Sequence, residues 1–363
     1  MDSVREMKMA VRLKWGVIAN HVSERPRVNR TPVEPARNRH PAPHLPAAPT
    51  LGQVGEVATI SVIREVAPSD VNGDDAAVLT SSAPYHRTVA STDSLVEGRH
   101  FRLDWSTAYE VGYKAVVQNF ADIEAMGARP RACLLSLCAP AQTPVDTVRS
   151  LAQGLAAACG HYSAELVGGD VTRASELVVT VTALGELGGA WPALTLSRAR
   201  PGQYVLAHGR IGHSGAGLAL LERFGRSLPP QYADLQPLID AHCAPWIKPG
   251  RGVIARAAGA TAMTDNSDGL VVDVGAIARA SRVGIELEAA ALSPGPLLVR
   301  AGRVLGLDPW SWVLSGGEDH TLVATADHAN VSDFRIIGRV VRTPGVRVDG
   351  AAPAYTGGWN SFG

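Results

Sequence analysis

The chain has 363 residues, room for two cores at about 150 residues per domain, and its 46% apolar and 19% charged content excludes a wholly disordered protein. The 37 glycines and 24 prolines follow no collagen-like period, so they predict many turns. The 34 basic and 34 acidic side chains cancel, but residues 1–50 hold 9 basic and 4 acidic ones, leaving a mildly acidic remainder that argues against a nucleic-acid partner.

Seven prolines lie among arginines and histidines in residues 1–49, which reads as a disordered basic extension. Arg5, Lys8, Arg12 and Lys14 stand where a signal peptide needs an apolar stretch, and no apolar run reaches the ~18–20 residues of a membrane span. A cytoplasmic protein without membrane contact is expected. Cys133, Cys138, Cys159 and Cys243 form no CxxC and read as small thiols in apolar surroundings.

Beyond Gly52, β-rich runs at Arg87–Ser91, Ala132–Cys138 and Glu176–Ala183 alternate with helical stretches, the pattern of an α+β or α/β protein. Tyr109, Gly112, Tyr113, Val116, Phe120, Ile123 and Met126 recur at spacings of three and four, predicting a long helix capped by Ser106 or Thr107 and closed at Gly127. A Gly/Pro-bearing crossover at Gly188–Gly202 leads to a second α/β region, with helices near Ser214–Phe224, Arg251–Ala258, Gly269–Ser281 and Pro296–Leu305. The expected division is therefore 1–49 extension, 50–190 N-terminal α+β domain and 191–363 C-terminal α/β domain.

Aspartates recur among small residues instead of on charged helix faces. They are Asp75 in GDDAAV, Asp93 in STDSLVEGRHF, Asp122 in NFADIEAMGA, Asp170 in VGGDVTR, and Asp265 with Asp268 in TDNSDGL. Leu166–Asp170 reads as a strand that ends in a carboxylate at its C-terminal edge, where ligands bind. Converging carboxylates require cations, and Mg²⁺ takes carboxylate and phosphate oxygens, so the set points to metal-assisted phosphoryl transfer. Singly, each aspartate would serve equally as a helix cap or turn residue.

There is no Walker-type GxxxxGK[ST] and no Rossmann GxGxxG. Gly209–Gly217 (GRIGHSGAG) opens a predicted helix and would either offer N–H groups to an anion or serve close packing. SGGED (315–319) is a turn aiming two carboxylates or a ligand contact, and Trp359 in the C-terminal GGWNSF either stacks on a flat ring or pins the tail. His100 has the same two readings, core histidine or phosphate partner.

In order, GDDAAV, STDSLVEGRHF, NFADIEAMGA, VGGDVTR, GRIGHSGAGL, DNSDGL and SGGED closely resemble the motifs of thiamine-monophosphate kinases, in the superfamily of aminoimidazole ribonucleotide synthetase. The resemblance runs from about Gly52 to Trp359. It implies an N-terminal α+β domain with a mixed sheet whose strands pair with those of a second subunit in a homodimer, a C-terminal α/β domain, and ATP bound with several Mg²⁺ ions. The implied reaction converts thiamine monophosphate and ATP to thiamine diphosphate and ADP. Carried over by position, the metal ligands are Asp75, Ser91, Thr92, Asp93, Asp122, Asp170, Asp265 and Asp268; Gly169, Asp170 and Ser267 contact the nucleotide; and His100, Glu318 and Trp359 hold the thiamine phosphate and its ring.

The chain departs from the pattern at three places. TLSRARPGQ (195–203) has Leu196 where the family carries a nucleotide-contacting arginine and Gln203 where it carries an aspartate, leaving Arg198 or Arg200 as substitutes. GGEDYEL becomes GGEDHTL with His320 and Thr321, and DISDGL becomes DNSDGL with Asn266. These differences keep two alternatives open, a paralogue kinase for another small acceptor and a non-catalytic nucleotide-binding scaffold. Selenophosphate synthetase and hydrogenase-maturation readings lack their reactive and C-terminal cysteines respectively.

Overall fold

The structure, a computed structural model, describes residues 48–70, 79 and 85–359, so Asp75 and the extension up to position 47 lie outside the described residues. Ala47–Gly363 forms one compact unit. Its first half runs α1 (Leu51–Val66), β1 (Arg87–Val96), α2 (Ala108–Ala125), β2 (Arg129–Ala139), α3 (Val145–His161), β3 (Glu165–Arg173) and β4 (Val178–Leu187). The second runs β5 (Tyr204–His208), α4 (His213–Phe224), α5 (Gln236–Cys243), α6 (Arg251–Ala257), β6 (Ala262–Asn266), α7 (Leu270–Ser281), β7 (Gly284–Leu287), α8 (Ala289–Leu292), α9 (Pro296–Leu305), α10 (Pro309–Ser315), β8 (Thr321–Ala326), β9 (Arg335–Val341) and β10 (Gly345–Val348). The fold is a mixed α/β arrangement of two sheets.

The expected long helix is α2, and of its two candidate caps Thr107 is the one used. Its hydroxyl accepts the Glu110 N–H at 3.2 Å, while the Glu110 carboxylate accepts the Thr107 N–H at 2.8 Å, a reciprocal capping box. Gly127, at φ +71°, turns the chain out of the helix. Val111, Val116, Phe120 and Ile123 bury one flank of α2 against the first sheet, in which β4 alternates inward Val179, Val181 and Ala183 with half-buried Thr180 and Thr182.

That sheet has the order β1-β4-β2-β3, antiparallel except for the parallel pair β2/β3. Pairing with β2 continues through Arg173, which corrects one expectation: Asp170 lies inside β3, opposite Ser136, and not at the strand's end. The second sheet has the order β10-β7-β9-β5-β8-β6, with only β10/β7 parallel. All strands of the first sheet precede the 188–202 crossover and all of the second follow it.

Two contacts hold these layers in register. A Cβ added to Gly154 of α3 would sit 1.9 Å from the Tyr109 carbonyl oxygen, and one on Gly112 of α2 would sit 2.0 Å from that of Leu151, so the two helices touch backbone to backbone. Glu124, fully buried near the end of α2, accepts the N–H groups of Gly250 and Gly252 at 2.6 Å each, tying α2 to the start of α6. Substituting Gly154→Ala forces these backbones apart, and the overpacking outweighs the gain in helix propensity: a loss of about 1–3 kcal/mol is expected by urea denaturation, whereas Gly160→Ala, in the same helix but with nothing for the added carbon to meet, should keep the propensity gain of up to about 1 kcal/mol.

Candidate active site

The carboxylates singled out in the sequence come from four elements. Asp93 stands on β1 and Asp122 on α2; Ser91, two residues from Asp93 and on the same face of β1, donates its hydroxyl to Asp122 at 2.5 Å. Asp265 is on β6 and only 6% exposed, and the turn that follows carries Ser267 and Asp268 into α7. Burial raises the pKa of Asp122 to about 7, with Asp265 and Asp93 adding repulsion and the Ser91 hydroxyl opposing it. Burial and Asp265 likewise raise Asp93 and Asp268, while the Gln118 amide and two imidazoles restrain Asp93.

Asp273, one turn into α7, accepts the N–H groups of Asp268 and Gly269 at 3.2 and 3.0 Å. Burial, then Asp265 and Asp268, push it to about 8, so it holds the turn as a neutral acid at pH 7.

The SGGED turn does aim two carboxylates, in different directions. Asp319 accepts the N–H groups of Gly212 and Ser214 at 2.5 and 2.8 Å, so the N-terminus of α4 is filled from within the protein, which decides the open reading of the glycine-rich run in favour of packing. Glu318 pairs with Lys114 of α2 at 3.1 Å, and His242 lies 3.4 Å away while also meeting the Ser214 hydroxyl at 3.0 Å. Although burial opposes it, the Lys114 ammonium holds Glu318 down at about 2; His242, pushed down to about 4 by burial, is neutral. Lys114, 2% exposed, was missed by sequence reasoning, and its signal was a lysine inside the apolar stripe of α2.

His100 and Trp359 come together at a ring-centroid distance of 5.5 Å, and the main-chain N–H of Trp359 donates to the Asp268 carbonyl at 3.0 Å. The tail is thus pinned to the aspartate turn while the indole stays 48% exposed. The Val96 N–H donates to His100 Nδ1 at 3.1 Å and burial lowers its pKa, so the ring is neutral with its remaining proton on Nε2.

Other candidates stand apart. The Thr92 hydroxyl turns to the opposite face of β1, to Val181 and Thr182 of β4. Asp170 is exposed on β3, three strand spacings or about 14 Å from Asp93 across the sheet, behind Gly169, where a Cβ would meet the Leu135 carbonyl oxygen at 1.9 Å. Gln203 is buried and closes the crossover by accepting from the Arg200 N–H and Thr261 hydroxyl and donating to Asp327. Arg200 pairs with Asp327 at 2.6 Å, and Arg198 is exposed beside the crossover. Asn266 is wholly buried.

Among the described residues, no three histidines, cysteines or acids stand close enough as they are to hold one metal ion. The donor set nevertheless suits Mg²⁺, being oxygen-only with Asp122 and Asp93 raised by burial and further by Asp265, and Mg²⁺ characteristically takes one or two carboxylates and completes its shell with phosphate oxygens and water.

Residues 73–187 match the family model described as AIR synthase related protein, N-terminal domain. A thiamine-monophosphate kinase of Corynebacterium glutamicum is 57% identical over 317 residues, 86% of this chain and 95% of that protein. The chain belongs to the thiamine-monophosphate kinase family. The kinase of Mycobacterium tuberculosis is 45% identical over 87% of this chain and 94% of its own. Among solved structures, the thiamine-monophosphate kinase of Stenotrophomonas maltophilia superposes with a TM-score of 0.70 at 31% identity, covering 82% of this chain and 96% of that one. AaThiL complexed with AMPPCP and TMP gives 0.68 at 31%, covering 85% and 97%. A hydrogenase-maturation protein at 23% identity and 0.62 shares the fold. No helix among the described residues of this thiamine-monophosphate kinase family member is long and apolar enough to cross a membrane.

The raised carboxylates fix a sign for pH dependence. Asp273 is raised in the folded chain from an ordinary value near 4 to about 8, so its contribution to stability is full below pH 4 and is lost as pH rises toward 8. Relative to Asp273→Asn, the metal-free wild type should lose stability steadily between pH 4 and 8 in urea titrations; parallel curves would contradict this.

Proposed function

We propose that the protein transfers the terminal phosphoryl group of ATP to thiamine monophosphate, giving thiamine diphosphate and ADP. The observation that carries this reading is the seam where Asp93, Asp122, Asp265 and Asp268 gather beside the His100–Trp359 pair, in a chain whose relatives are named for this activity. Asp93, Asp122, Asp265 and Asp268 would hold Mg²⁺, with Asp75, Ser91, Thr92 and Asp170 as further ligands by resemblance, Ser91 also orienting Asp122. Bound Mg²⁺ supplies the positive charge that neutralises the β- and γ-phosphates during transfer.

The acceptor is itself a phosphate, already anionic, so this chain needs no strong general base; a terminal P–O bond of ATP breaks as the bond to an acceptor phosphate oxygen forms. Its work is alignment. Ser267 and Gly169 are read as nucleotide contacts, Ser267 on the turn that also presents Asp265 and Asp268. His100 offers an Nε2 proton to the acceptor phosphate, the half-exposed Trp359 indole offers a face to a flat cationic ring, and Glu318 is kept ionised and oriented by Lys114. The alignment is completed, on this reading, by a division into 50–190 and 191–363 with the seam between them. The partner is a second copy, paired through strands of the first sheet, whose face bearing Thr92, Ser94, Thr180 and Thr182 is half-exposed, and the setting is the cytoplasm.

Incubation with ATP, Mg²⁺ and thiamine monophosphate should yield thiamine diphosphate, read by chromatography, and no product would end the proposal. Asp265→Asn should lower kcat by about 100-fold or more, because it removes charge felt mainly in the transition state. Trp359→Ala should raise KM for thiamine monophosphate about tenfold with a smaller change in kcat, since stacking acts on bound substrate and transition state alike.

A further inference from the structure

His320 departs from the tyrosine that the resemblance implies, and the structure places it against the acid cluster. Its backbone is left-handed at φ +52°, as is that of Glu318 at +58°, a conformation that non-glycine residues keep at sites whose surroundings impose it. The main-chain N–H donates to the Asn266 carbonyl at 2.9 Å, clamping the loop to β6. The side chain is 4% exposed and lies with Nδ1 3.0 Å from Oδ2 of Asp265. Its other ring nitrogen, Nε2, is buried and has no hydrogen-bond partner. Around the ring stand Asp93 from β1, Asp122 and Lys114 from α2, and Glu318 and Asp319 from its own loop.

A buried imidazole with one nitrogen committed to a carboxylate and the other unsatisfied is incomplete without a ligand. We infer that His320 is a positioning residue for the cation site: its Nδ1–H pins Oδ2 of Asp265 so that Oδ1, which the Ser267 hydroxyl meets only at 3.5 Å, faces the ion, and Nε2 is reserved for an oxygen in that ion's own shell. The inference rests on the reading of Asp265 as a cation ligand. It adds a group that orients a ligand without being one, an arrangement that sets affinity in metal sites generally.

The test is Mn²⁺ titration of the full chain, without nucleotide, followed by electron paramagnetic resonance, with turnover measured in parallel. His320→Ala should weaken Mn²⁺ binding about tenfold and raise the Mg²⁺ concentration for half-maximal turnover in proportion, leaving KM for thiamine monophosphate unchanged. His320→Asn places an amide donor where Nδ1 stood and should recover most of the loss, whereas His320→Gln carries its donor too far along the side chain and should not. If the alanine variant fails to fold, the Asn and Gln variants decide: equal Mn²⁺ affinities overturn the inference. Wild-type affinity in His320→Ala overturns it alone when Asp265→Asn still loses Mn²⁺. Wild-type affinity in Asp265→Asn overturns the underlying reading and this inference with it.

Discussion

The burial of several like-charged carboxylates in one seam is the constraint on which this structure turns. Burial raises the pKa of Asp93, Asp122 and Asp268, and repulsion from Asp265 adds to each, across a seam between β1, α2, β6 and α7; a protein selected only for stability would not assemble them. Their protein partners are few: two serine hydroxyls, a glutamine amide and an imidazole. The unbalanced negative charge is of the kind a divalent cation would neutralise while bridging the carboxylates to a polyphosphate, and the segments around the seam hold that charge in place.

The holding is done by a second set of acids, each spent on main-chain N–H groups. Asp319 fills the start of α4, Glu124 the start of α6, and Asp273 the turn before α7. Burial raises Asp319, Glu124 and Asp273 to about 7, 7 and 8 respectively, so each titrates close to neutrality. The contrast is Glu318, which keeps its charge because Lys114 is buried beside it. One lysine thus separates a carboxylate that stays charged from others absorbed into the frame.

Much of this was legible in the residues. The three-and-four spacing from Tyr109 to Met126 located α2, the small-residue contexts flagged the aspartates, and the Gly188–Gly202 stretch separated the two sheets. What was not legible depended on tertiary contact. Local sequence could not say that Asp319 would cap a helix 107 residues earlier, that Lys114 would be buried under Glu318, or that β3 would continue past Asp170 because β2 runs alongside it. Gln203, striking the eye as a lost aspartate, proves to be a turn-closing amide with partners in two other segments.

The loop 266–268 is bound three times in succession by two segments: the Asn266 carbonyl by His320, the Ser267 carbonyl by Glu318 two residues earlier, and the Asp268 carbonyl by Trp359 of the tail. Each of these bonds closes a span of about 50 to 90 residues, and the loop must also meet β1 and α2 from much earlier in the chain. Long closures are entropically dear and come late in folding, after local helices and hairpins have formed. Asp265 and Asp268 therefore reach Asp93 and Asp122 only through long closures, so most of the apolar surface is expected to be buried before these carboxylates face one another.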